Sequence, residues 1–139
     1  MRDFVEVDTS RLEAAVDALE DEIGGVAAVL PAIANMLVGQ VADEFETEGQ
    51  GQWEPFADST LKGRRGKGNP KLLQDTGVFA GSIHGEHGID FAEAATNVPY
   101  AVYHVMGTKN MAARDPFDVD EDSTLDEAEE LVWRHLGLL

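Results

Sequence analysis

The residues with the widest chemical range are three histidines, His84, His87 and His104, in a chain with 27 Asp and Glu and no cysteine. With carboxylates so plentiful, these imidazoles are the candidate ligands of a small metal-dependent hydrolase, in which a bound ion would activate water. Their spacing argues against it. His84 and His87 lie three residues apart in "HGEHG", which sends them to opposite faces of a regular strand. Neither an established zinc spacing nor a helical H-E-x-x-H is present. His104 sits in "YAVYHVMG" among apolar neighbours. There, a buried or interface histidine with a hydrogen-bond partner is the plainer reading. A general base would need a nucleophile or substrate within reach, and the sequence holds no S-x-x-K and no G-x-S-x-G. The lack of cysteine removes thiolate ligands and thiol nucleophiles. A catalytic centre, a metal and a cofactor are therefore not expected.

The second group with chemical potential is basic. Lys62, Arg64, Arg65, Lys67 and Lys71 make up half of the 10 Lys and Arg residues and fall within one short stretch, "LKGRRGKGNPK". Lys and Arg neutralise phosphates, so a nucleic-acid-binding module is one reading. The stretch lacks the fixed spacing of a phosphate-cradling loop, the rest of the chain would repel nucleic acid, and no recognition-helix motif is present. Electrostatic docking onto an acidic protein partner fits better. Trp53, Pro55 and Phe56 stand just upstream and suit the apolar anchoring of such an interface. Equally, Trp53 and Phe56 would serve to pin the loop to the core, since Trp is highly buried on average.

The formal net charge is -17 and the sequence pI is near 4.3. Such self-repulsion opposes a compact state in dilute buffer. At about 1 M salt the screening length falls to roughly 3 Å and most of it disappears. Scattered acids with few lysines point to a salt-rich host cytoplasm; an ordinary acidic protein is the alternative. The acidic helix faces read either as solvated surface or as a channel wall that repels a passing nucleic-acid backbone. "MRDFVEVDTS" lacks the basic and apolar regions of a signal peptide. No apolar run is long enough to span a bilayer. The expectation is a soluble protein made in the host cytoplasm, with no membrane partner.

The elements that must position these groups follow from periodicity. Leu12, Val16, Leu19, Ile23, Val26 and Leu30 recur at helical spacing, with Ser10 and Glu13 as a capping box. Gly24 and Gly25 weaken that helix, and Pro31 kinks or restarts it. Ile33, Leu37, Val41 and Phe45 make a second stripe, so helices are expected over 9–47. A Gly- and Pro-rich loop over 49–71 follows, with one helical turn at 58–62. Strands are expected at 81–87, 89–96 and 100–106, the first two joined by the turn "EHG". A last helix over 123–137 carries Leu125, Ala128, Leu131, Val132 and Leu136 on its apolar stripe. Helices, loop, small antiparallel sheet and helix, in that order, make a single α+β domain over 1–139.

Four pieces in this order resemble one family. "EFETEGQGQWEPFADSTLKGR" is similar to its helix end, Gly-rich turn and W-x-P-L…T segment, with Phe56 in the Leu position. "KLLQDTGVFAGSI" resembles its iLxdTGxLxxSI signature, with Phe79 for Leu. "NVPYAVYHVMG" is similar to its YAxxHxxG strand, and "AARDPFDV" to its PARPFL segment. In the last, Asp115 separates Arg114 from Pro116, and Asp118 replaces an apolar residue. The family is the tail-completion or virion-morphogenesis proteins of tailed phages, and the resemblance covers about 44–119. It implies a structural virion protein at the neck, between head and tail, commonly a hexameric ring. Its expected partners are further copies of itself, the neighbouring neck adaptor, and tail-tube or tail-terminator proteins. DNA would pass through its channel without specific binding. Tyr100, Tyr103 and His104 would then be strand residues of the assembled ring. Arg114, Pro116 and Phe117 would brace the next segment or a neighbouring subunit.

Overall fold

The computed structural model describes residues 8–20, 22, 24–53, 78–109 and 112–138. Ile23, Pro55, Phe56, Lys62, Arg64, Arg65, Lys67, Lys71 and the helical turn expected at 58–62 lie outside them.

The first helix, α1 (Ser10–Leu19), starts one residue earlier than a Ser10 cap would place it. Ser10 is its first residue, and its N–H donates to Asp8 Oδ1 at 3.0 Å. Glu13 instead accepts from the Thr9 hydroxyl at 3.2 Å, so the expected Ser10–Glu13 box does not form. The helix stops at Leu19, and Gly24 adopts φ 87° ahead of a 3-10 turn, Gly25–Ala28. A left-handed residue is cheap for glycine alone, so the chain turns here rather than running on. Pro31 then lies in the first turn of α2 (Leu30–Thr47), where its missing N–H costs nothing. Beyond α2, Glu48, Gly49, Gln50 and Gly51 all take positive φ, a left-handed turn that redirects the chain.

A short helix, α3 (Val78–Gly81), leads into a hairpin of β1 (His84–His87) and β2 (Ala92–Ala95). The strands are antiparallel, with Gly85 opposite Ala94 and Glu86 opposite Glu93. The Ser82 and Thr96 hydroxyls meet at 2.6 Å across its open end. The segment expected as a third strand is helical: α4 (Ala101–Met106). The sheet therefore has two strands among the described residues. The last helix, α5 (Glu121–His135), begins two residues before Ser123, because Asp120 accepts from the Ser123 N–H and hydroxyl at 3.1 and 2.6 Å. Acids in its first turn and Arg134 and His135 in its last complement the helix dipole.

Two apolar clusters share α2. At one end, Ala15 and Leu19 of α1 pack with Val29 and with Val132 of α5, joined by Ile33 of α2 and Trp133. At the other, Val41 and Phe45 of α2 pack with Phe79 and Ala101, joined by Trp53, Ala94 and Phe117. The hairpin lies close on α2 because Gly85 has no side chain: a Cβ there would stand 3.3 Å from the Ala34 methyl and 3.4 Å from Val38. Thr124 of α5 donates to Gln40 of α2 at 2.8 Å. The fold is α+β, with helices at both ends of the chain and a small antiparallel hairpin between.

Candidate assembly surface

Pro99 and Gly107 bracket α4, and Gly107 has φ 73° at its C-terminal end. Its inner side is set by Ala101, which is buried, and His104, three residues on. The His104 ring stacks on Phe79 at 5.5 Å between centroids and 26° between planes, and Tyr100 meets it edge-on at 5.7 Å. Phe79 in turn meets Phe45 edge-on at 5.2 Å, and Phe45 meets Trp53 at 6.2 Å. An unbroken run of rings thus joins α4 to the start of the loop after α2. These edge-to-face and stacked pairs each add about 0.5–1.5 kcal/mol beyond their buried area.

Trp53 is half-buried against the core, so its indole pins the entry to that loop. His104 Nδ1 is enclosed, with no hydrogen-bond partner among the described residues. Burial, and then the nearby Arg114 charge, push the imidazole below its ordinary pKa, so the ring is held neutral. The Arg114 N–H donates to the His104 carbonyl at 2.7 Å, fastening the next segment to α4. Asp115 builds the turn that follows, its carboxylate accepting from the Phe117 N–H at 2.9 Å. Pro116 is fully buried and Phe117 packs on the chain's own core.

The outer side of α4 is apolar. Val102, Tyr103 and Met106 are 50%, 58% and 74% exposed, and Tyr100 stands partly exposed beside them. Sequence reading missed this face because it placed the segment in a strand, where Val102, His104 and Met106 share one side. The signal that finds it is Pro99 before, Gly107 after, and the i, i+3 spacing of Ala101 and His104.

The three histidines do not converge on one ion. The hairpin register puts His84 on the face away from α2, where its Nε2 meets Glu86 at 3.0 Å. His87 takes the opposite face, and His104 belongs to the aromatic run. Among the described residues no group of three His, Asp or Glu side chains is placed to hold a metal. On the outer hairpin face, hydrogen bonds to the Ser82 carbonyl and to Glu86 raise the His84 pKa. The hydrogen bond between the facing carboxylates lifts that of Glu93, while His84 first and Glu93 next lower that of Glu86. Among the described residues no helix is long and apolar enough to cross a membrane.

The model of the phage virion morphogenesis family matches residues 7–127, most of the chain. The chain belongs to the phage virion morphogenesis family. Its role is accordingly a structural or morphogenetic one in building the phage particle. The match includes α4, so the apolar outer face of α4 is part of the family's domain. No curated protein and no solved structure matches the chain significantly.

Proposed function

We propose that this protein completes the tail of a tailed virus and joins it to the head. It acts at the neck as a ring of identical subunits around the DNA channel. The observation that carries the reading is the outward face of α4 in a virion morphogenesis protein: Val102, Tyr103 and Met106 stand in solvent on a single subunit. Aromatic and Met side chains are enriched at protein interfaces. The hairpin edges, with no further strand among the described residues, offer a second way for a neighbour to attach. The acidic surplus suits a wall along which DNA slides without sticking. Neighbours in the particle would be the neck adaptor on one side and tail-tube or tail-terminator protein on the other. The same charge fits a halophilic host.

Disrupting the gene during infection tests this. The expected result is packaged heads and finished tails that remain separate under the electron microscope, rejoined when the protein is supplied in trans. Normal particles without the protein would contradict it. Replacing Arg64, Arg65 and Lys67 with Ala should likewise block joining while leaving the circular dichroism spectrum unchanged. Wild-type joining by that variant would remove the loop from the account.

A further inference from the structure

We propose that adjacent copies of this chain contact head to tail, the outer face of α4 on one copy seating against the acidic α1–α5 groove of the next. This rests on the reading of the protein as a ring-forming virion component, and it names the two surfaces that meet. The first consideration is charge. Two copies each carrying -17 repel, so a contact between them needs a surface free of carboxylates on at least one side. Residues 94–114 contain no Asp or Glu, and they include Lys109 and Arg114. This stretch carries Tyr100, Val102, Tyr103 and Met106 at its exposed apolar face. The other long carboxylate-free stretch among the described residues, 24–42, puts no large apolar side chain on the surface.

The complementary surface lies on the other apolar cluster. Between α1 and α5 runs an open groove of about 380 Å³, lined by Trp133, Arg11, Asp126, Glu127, Glu129 and Glu130. Arg11 is already engaged by Asp126 and Glu129, at 3.8 and 3.0 Å. Glu127 stands exposed on the rim. An aromatic wall with an acidic rim matches an apolar helix face followed by the exposed Lys109. A stable contact buries roughly 800 Å² per partner, more than three side chains supply, so Tyr100 and Lys109 belong to the footprint as well. The two surfaces are different and sit on different clusters of the fold. Their contact is therefore heterologous, which propagates around an axis and closes into a ring when the rotation allows.

The test places a photoreactive benzoylphenylalanine at position 103, and separately at 106, in protein supplied in trans during infection. Purified particles are irradiated, separated by mass and digested. The expected result is a species of twice the chain mass, in which position 103 is linked to a peptide from Ser10–Leu19 or Glu121–His135. Adding Met106→Glu to the chain labelled at 103 should reduce that species about tenfold, with circular dichroism unchanged. Links to another region of the chain, links to a different protein alone, or no link from either position would overturn the proposal while the virion reading stands. Absence of the chain's peptides from the particles would remove that reading, and this proposal with it.

Discussion

His104 carries the pH behaviour of the assembly surface. Its folded pKa lies below the ordinary value of 6.5 because the ring is desolvated between Phe79 and Tyr100 and faces the Arg114 charge. A histidine held neutral in this way contributes stability that is fully present above pH 6.5 and is lost as pH falls through the folded pKa. His104→Phe should therefore remove part of the stability loss seen by urea melts on acidification from neutral pH. An unchanged acid slope would show that the ring is not so held. His84 works in the opposite sense: its raised pKa means a contribution present below 6.5 and lost as pH rises, so the comparison is best made in a His84→Gln background. Phe79 is the hub of the ring run, 3% exposed and touching Phe45, Tyr100 and His104. Phe79→Ala should cost about 3–5 kcal/mol in chemical denaturation. At this scale sequence reading had mixed reach. The apolar surroundings of His104 followed from its neighbours in sequence, but the ring it stacks on, Phe79, comes from α3 and no local spacing names it.

The helices show what periodicity can and cannot resolve. The stripes on α2 and α5 were legible because Val41, Phe45, Ala128 and Val132 repeat over many turns. The segment 100–106 was not, because seven residues rich in Val and Tyr carry strand propensity and too few turns for a period to emerge. There the Pro99 and Gly107 brackets outweigh propensity. The hairpin depends on a glycine that no pattern flags. Gly85→Val would push side-chain atoms into Ala34 and Val38 of α2 and should destabilise the protein by about 1–3 kcal/mol; a wild-type melting curve would refute the close approach. Between α1 and α5 the clamp is ionic. Glu129 receives Arg11 at 3.0 Å and the Trp133 indole N–H at 3.2 Å. Because Arg11 is largely exposed, Arg11→Ala should cost no more than about 1 kcal/mol, and less at high salt.

Across the whole molecule, composition governs how the protein responds to its solvent. A formal charge of -17 on 139 residues should make the folded state more stable as KCl rises from about 0.1 to about 1 M, since the screening length shrinks from roughly 10 to roughly 3 Å. Thermal melts across that range check it, and a flat or falling Tm would argue against a salt-adapted protein. Family membership was legible because short pieces recur in fixed order along the chain, and the family match over 7–127 agrees with them. The mode of assembly was less so: a contact surface depends on which faces remain exposed after packing, and α4 had first to be a helix. The claim on which everything else depends is that this protein is a minor structural component of the virus particle. Quantitative mass spectrometry of density-purified particles, set against the infected-cell lysate, measures that directly. The account predicts a few copies per particle, far below the capsid and tail-tube proteins, as one ring would supply. Abundance in the lysate with absence from the particles would contradict it.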